Sequence, residues 1–66
     1  MNITVNGTPK DLTADTNLAD VVAGVTTSTS GVAVAVNDDV VPKGAWPTTS
    51  LNPGDRVEVL TAVQGG

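Results

Sequence analysis

The chain has 66 residues, contains neither cysteine nor histidine, and carries a formal net charge of −4 at pH 7. One domain is expected at this length, and the missing residue types exclude disulfides, zinc sites with sulfur or nitrogen ligands, and Ser-His or Cys-His nucleophiles. We therefore expect no self-contained enzyme active site, and the negative charge disfavours nucleic acids and anionic membranes as partners.

The N-terminal residues predict a β-hairpin. Apolar and polar residues alternate over residues 1–5, which is typical of a half-buried strand. Asn6 and Gly7 favour a tight two-residue turn because both tolerate positive φ. The return strand is expected over residues 8–12, at an edge of the sheet, because Pro9 cannot donate a ladder hydrogen bond.

Residues 16–25 predict the main helix. Its apolar residues recur at helical spacing and form one stripe: Leu18, Val21, Val22 and Val25. Asp15 or Thr16 is expected to cap the first turn, and Ala19 at the third position after Thr16 predicts that no capping box forms. Because valine is a mediocre helix former, we expect packing against a sheet to stabilise this helix.

The remaining residues predict three more strands. Valine and alanine alternate over residues 32–36, which indicates a strand with large side chains on one face and small ones on the other. A turn at residues 37–39 is followed by a short strand at residues 40–41. A second turn at residues 52–55 precedes the last strand at residues 56–62.

Two features of this half could suggest ligand sites, but we interpret both as structural. Trp46 lies in a segment expected to be irregular, residues 43–51, and a lone aromatic residue in a small domain more often covers the core. Asp38 and Asp39 are adjacent carboxylates, which supply too few oxygens for Ca²⁺ with its about 6 to 8 ligands. We expect a solvated turn there and no metal site.

The order of these elements predicts an α+β fold of the β-grasp type. One main helix packs on one face of a mixed sheet of about five strands. The first and last strands are expected to pair in parallel at the centre, with the helix in the crossover between them. The domain is expected to span residues 1–62, and residues 63–66 are expected to form a flexible C-terminal diglycine tail, because glycine resists ordering.

The outward face of the predicted sheet contains a candidate partner-binding surface. If the strand valines face the helix, the outward side chains near the root of the tail are Ala33, Ala35, Leu60 and Ala62. A flat, partly apolar surface of this kind suits docking onto a partner. Scattered apolar residues are also ordinary on a sheet face, which is the competing interpretation.

No targeting or membrane segment is expected. The starting residues MNITVNGTPKD lack the basic and apolar regions of a secretion signal. No apolar run approaches the roughly 20 residues of a membrane-spanning helix. We therefore expect a cytoplasmic protein.

Several motifs occur in an order and spacing that are typical of one protein family. They cover nearly the whole chain: the Asn6-Gly7 turn, VAVAVN at 32–37, VVPKGAW at 40–46, GDRVEVL at 54–60 and the terminal AVQGG. With these motifs the chain resembles the ThiS family, the sulfur carrier proteins of thiamine (thiazole) biosynthesis. The resemblance implies the ubiquitin-like form of the β-grasp fold.

The resemblance also implies how the diglycine tail, Gly65 and Gly66, is used. An adenylating, E1-like partner enzyme would use ATP to convert the Gly66 carboxylate into an acyl-adenylate. Sulfur from a sulfur donor protein would then displace AMP, and the resulting thiocarboxylate would donate its sulfur to thiazole synthase. Two glycines suit this chemistry because no side chain crowds the carbonyl group. The carrier itself is implied to bind no cofactor.

Three other functions stay open on the sequence. The first is the small subunit of molybdopterin synthase or another ubiquitin-like sulfur carrier, which would share the fold, the diglycine and the adenylation step. The second is a protein modifier that forms an isopeptide bond to a lysine. The third is a β-grasp interaction module whose tail is idle.

Overall fold

The structure is a computed structural model that describes residues 1–27 and 31–61. The elements follow in chain order: β1 (Asn2–Val5), β2 (Thr8–Asp11), α1 (Leu18–Val25), β3 (Val32–Val36), β4 (Asp39–Val40), a 3₁₀-helix (Lys43–Thr48) and β5 (Arg56–Thr61). The predicted tail at residues 63–66 and the domain boundary at residue 62 lie outside the described residues.

The strands form one mixed sheet in the order β2-β1-β5-β3-β4. The first and last strands pair in parallel at its centre, with Thr4 opposite Arg56 and Val5 opposite Val57. The other strand pairs are antiparallel. This topology confirms the predicted β-grasp fold. It also confirms the edge position of β2, whose four residues, including Pro9, are all exposed.

Both hairpins turn through two residues in the left-handed region. In the first turn Asn6 has a φ of 51° and Gly7 a φ of 81°, as predicted. In the second turn Asn37 and Asp38 have φ values of 51° and 73°. The predicted three-residue turn is therefore one residue too long. Asp39 already belongs to β4, since two left-handed residues complete the reversal.

The helix starts later than predicted, and its cap differs. Asn17 is the N-cap residue: its side-chain oxygen accepts a hydrogen bond from the Asp20 N–H at 2.9 Å. The Asp20 carboxylate in turn accepts one from the Asn17 N–H at 3.2 Å. The expectation of a cap at Asp15 or Thr16 without a capping box is thus wrong. Thr16 instead closes a separate turn, donating its N–H to the Thr13 carbonyl at 3.1 Å.

The core lies between the helix and one face of the sheet. Its buried apolar residues are Ile3, Val5, Leu18, Val21, Val22, Val34, Trp46, Leu51, Val57 and Val59. The predicted helical stripe is buried except for Val25, which is 43% exposed at the end of the helix. In the part of the chain that the structure describes, no helix has the length and apolar composition required to cross a bilayer.

Trp46 has the structural role predicted for it. Its ring is 5% exposed and belongs to the core, while its indole Nε1–H donates to the Val41 carbonyl at 2.9 Å. The segment around it is not irregular as expected but forms the 3₁₀-helix Lys43–Thr48. Short 3₁₀ turns carry little periodic signal in sequence, and here the buried indole fixes the turn in place.

Candidate functional site

The outward face of the sheet brings together Ala33, Ala35 and Leu60, which the sequence predicts as a partner-binding surface. Ala33 lies opposite Leu60 in the pairing of β3 with β5. Ala35 projects to the same side two residues further along β3. Leu60 is 68% exposed, a high value for a large apolar side chain. Ala62, the fourth predicted residue, lies outside the described residues.

Val40 of β4 extends this surface, and sequence reasoning misses it. It lies opposite Ala35 and is 77% exposed. Recognising Val40 from sequence requires the register of the second hairpin, which a three-residue turn would shift by one position. We call Ala33, Ala35, Val40 and Leu60 the sheet patch. A shallow groove of about 130 Å³ crosses this patch and is flanked by Glu58.

Hydrogen bonds from a neighbouring turn brace the N-terminal end of β5. The Asn37 side-chain oxygen accepts from the Arg56 N–H at 2.9 Å, and its amide donates to Asp55 Oδ1 at 3.0 Å. Asp55 is 9% exposed, and its Oδ2 accepts from the Asn52 N–H at 2.8 Å. The Asp55 carboxylate therefore joins two turns through a pair of charge-assisted hydrogen bonds.

An exposed ion pair lies beside this end of the strand. Arg56 donates to Asp38 Oδ2 at 3.1 Å, with both side chains more than half exposed. The hydrogen bond and negative charge of Asp38 raise the pKa of Arg56 above its ordinary value, so its guanidinium stays charged. Asp38 therefore lies in a solvated turn. No group of three metal-ligating side chains occurs within residues 1–27 and 31–61.

The C-terminal end of β5 is held by Asn6. The Val59 N–H donates to the Asn6 side-chain oxygen at 2.8 Å, and the Asn6 amide donates to the Val59 carbonyl at 3.2 Å. The hairpin signal predicts the turn at Asn6 but not this contact, because the two residues are 53 positions apart.

β5 contributes Leu60 to the sheet patch and is the last strand before the diglycine in the sequence. Gly65 and Gly66, the predicted reactive tail, lie outside the described residues. One residue of the predicted docking surface, Leu60, thus lies on the strand that precedes them in sequence.

Comparison with a protein-family model gives a match over almost the entire chain. The ThiS family model matches residues 3–66. This range includes the sheet patch, the diglycine and all residues of the sheet except Asn2.

Two curated relatives match over the full chain. A thiazole synthase of Paramagnetospirillum magneticum is 26% identical over 66 residues, which make up all of this chain and 20% of that protein. This chain therefore spans about a fifth of that relative's length. The uncharacterized protein ycf40 of Pyropia yezoensis is 32% identical over 66 residues, covering all of this chain and 93% of that protein.

Solved structures give the same result. The crystal structure of the thiamine biosynthesis protein ThiS from Geobacter metallireducens has a TM-score of 0.78 at 30% identity, with both chains fully covered. A solution NMR structure of a thiamine biosynthesis protein from the same organism has a TM-score of 0.77 at 30% identity, covering 100% of this chain and 88% of that one.

Proposed function

The chain belongs to the ThiS family of small sulfur carrier proteins, which are not enzymes, and on that premise we propose how it carries sulfur in thiamine biosynthesis. A partner enzyme of the E1-like class adenylates the α-carboxylate of Gly66 with ATP. A sulfur donor protein supplies the sulfur that converts this group into a thiocarboxylate. The thiocarboxylate then delivers its sulfur to thiazole synthase in the cytoplasm.

The chemistry requires activation of the carboxylate. An α-carboxyl group has a pKa of about 3.3 to 3.7, so at neutral pH it is ionised and resists nucleophiles. Attack of the carboxylate oxygen on the α-phosphate of ATP releases pyrophosphate and forms an acyl-adenylate. Hydrosulfide then attacks the carbonyl carbon, the bond to the AMP oxygen breaks, and AMP leaves with the electron pair. The product is a C-terminal thiocarboxylate.

The observation that carries this proposal is the extent of the family match, which runs through Gly66. A glycine at the reacting position leaves the carbonyl carbon open, and a second glycine before it lets the tail enter a narrow active site. The carrier needs no catalytic side chains of its own, because the partner enzyme supplies the activation.

The relative named thiazole synthase supports that enzyme as the acceptor. A segment similar to this whole chain lies within that protein, which is about five times as long. A carrier-like segment within the same polypeptide would raise its effective concentration at the acceptor site. This observation favours the thiamine branch over molybdopterin synthesis.

The sheet patch is the surface that we assign to docking. Its two large apolar side chains, Leu60 and Val40, are 68% and 77% exposed. A contiguous exposed apolar patch of this kind is typical of an interaction site. Glu58 lines the groove of the sheet patch, and Arg56 lies two residues earlier on β5, so charged residues border the patch along that strand, which suits an interface with an apolar centre and a polar rim. Ala62 is proposed to continue the patch toward the tail.

Adenylation can be tested by ATP–pyrophosphate exchange with the adenylating enzyme of the same organism. The full chain should support exchange, whereas deletion of Gly66 should reduce it at least about 100-fold, because the carboxylate recedes by roughly 3.5 Å. Gly66→Ala keeps the carboxylate at the same chain position and adds a methyl group beside the carbonyl carbon, so it should reduce exchange less than the deletion does. Absence of exchange with the full chain, using an enzyme active on another carrier, would refute the proposal.

A further inference from the structure

We propose that Asn6 is a positioning residue for the reactive tail, an inference that rests on the proposed function. Its side-chain amide fixes the C-terminal end of β5 and thereby the direction in which the chain leaves the sheet. Asn6 touches neither substrate nor cofactor in this account and acts through Val59.

The central parallel pairing of β1 with β5 is short. Strand β1 ends at Val5, and only two residue pairs join it to β5. The Asn6 N–H still donates to the Val57 carbonyl at 2.9 Å. Beyond that bond the chain turns away through Gly7 into β2, so β1 offers no further backbone partner to β5.

The Asn6 side chain takes the place of a β1 backbone partner for Val59. Its amide bonds both the N–H and the carbonyl of Val59, at 2.8 and 3.2 Å, as a neighbouring strand would. Val59 is 4% exposed, so these two backbone groups would otherwise be costly to leave unpaired. The left-handed backbone of Asn6, at a φ of 51°, aims the amide at β5.

The residues of β5 after Val59, Leu60 and Thr61, are paired with β3. On this side of β5, Leu60 lies opposite Ala33 and Thr61 opposite Val32. A strand held along one side alone can pivot about that line. The Asn6 amide therefore holds the second side of β5 at Val59, two residues before the strand ends at Thr61. A pivot at Val59 would change the direction in which β5 runs to its last described residue, Thr61.

Docking and presentation of the carboxylate should therefore respond differently to loss of the Asn6 amide. Docking through the sheet patch depends on Leu60, which β3 continues to hold when the Asn6 amide is absent. Presentation of the Gly66 carboxylate depends on the direction of the strand. Loss of the amide should therefore lower kcat for adenylation and leave KM for the carrier nearly unchanged.

The test compares Asn6→Gly with Asn37→Gly in ATP–pyrophosphate exchange. Glycine tolerates a φ of 51°, so each variant loses a side-chain amide without straining its turn. Asn37 is the matched control because it has the same turn position and φ, and bonds the opposite end of the same strand. Exchange of the Val59 amide hydrogen reports the local opening in each variant.

We expect Asn6→Gly to lower kcat about fivefold or more, with KM changed less than about twofold, and to accelerate exchange of the Val59 amide hydrogen. Asn37→Gly should keep kcat within about twofold of the unmodified chain. Should Asn6→Gly fold poorly, Asn6→Asp retains the acceptor for the Val59 N–H but places an oxygen against the Val59 carbonyl in place of the donor, and should also lower kcat.

Equal kcat values for the Asn6 variants and the unmodified chain would overturn the inference while leaving the proposed function intact. An equal loss of kcat in Asn37→Gly would also overturn it, because the effect would then follow from general weakening of β5. Absence of ATP–pyrophosphate exchange with the unmodified chain would overturn both proposals together.

Discussion

The two ends of β5 use the same local structure with different support. At each end the first residue of a two-residue left-handed turn is an asparagine with a φ of 51°, hydrogen-bonded to the β5 backbone. At the N-terminal end, Asn37 is backed by the buried Asp55 carboxylate. At the C-terminal end, no second side chain among the described residues bonds Val59. One end of the strand is therefore held by two linked side chains, Asn37 and Asp55, whereas the other depends on the single side-chain amide of Asn6.

The largest expected effect on stability is at the N-terminal end. Asp55→Ala removes the acceptor of the Asn37 amide and the Asn52 N–H, and should lower the free energy of unfolding by about 2 to 4 kcal/mol. Asp39→Ala, which removes an exposed carboxylate nearby, should change it by less than about 0.5 kcal/mol. Chemical denaturation measures both, and equal losses would show that Asp55 does not anchor β5.

The next effect is on partner binding and concerns the sheet patch. Leu60→Glu places a charge in the apolar centre of the sheet patch and should weaken binding of the adenylating enzyme about tenfold or more. The free energy of unfolding should change little, because Leu60 is exposed. Val25→Glu is the matched control, because Val25 is also an exposed aliphatic residue but lies at the end of the helix, away from the sheet patch. Titration calorimetry with the enzyme measures both. Unchanged affinity for Leu60→Glu would remove the patch from the docking surface.

A smaller effect on stability sharpens the comparison of the two asparagines. Asn37→Gly should cost about 1.5 to 3 kcal/mol, because it also removes one of the two donors to the buried Asp55 carboxylate. Asn6→Gly should cost about 1 to 2 kcal/mol, because both of the bonds it removes join neutral groups. This order is opposite to the order expected for kcat. Thermal and chemical unfolding of the two variants measure it. A greater cost for Asn6→Gly would contradict the division of roles between the two ends.

The smallest expected effect is that of the exposed ion pair. Arg56→Gln removes the contact with Asp38 but leaves the Arg56 N–H bonded to Asn37. Exposed pairs contribute little to stability and are screened by salt, so the unfolding midpoint should stay nearly unchanged and lose its weak salt dependence. Denaturation at low and high salt checks this result. A large loss of stability would mean that side-chain charge, and not the Asn37 amide, holds this end of β5.

Local signals in the sequence predict most of the fold. The Asn6-Gly7 turn, the alternation over Val32–Val36 and the helical stripe depend on residues close together in sequence, and the structure confirms each of them. The helix cap is less predictable, because Asp15, Thr16 and Asn17 are adjacent and all three can cap. Only the backbone conformation, extended at Asn17, selects among them.

Contacts between distant residues account for what sequence alone does not predict at the site. The Asn6 and Asn37 side chains form hydrogen bonds to β5 residues that are 53 and 19 positions away in sequence. A local sequence pattern cannot predict contacts between residues so far apart. Val40 joins the sheet patch through the hairpin register, which depends on the length of one turn. The outward set Ala33, Ala35 and Leu60 was accessible from strand alternation. Its use for docking, like the use of Gly65 and Gly66, stays a prediction.

The most direct test of the central claim is intact mass spectrometry of the chain after incubation with the adenylating enzyme, ATP and sulfide. The account predicts a mass increase equal to replacement of one oxygen by sulfur, confined by fragmentation to Gly66 and absent from a variant lacking that residue. An unchanged mass, with an enzyme proven active on another carrier, would contradict the claim that this chain carries sulfur on its terminal glycine.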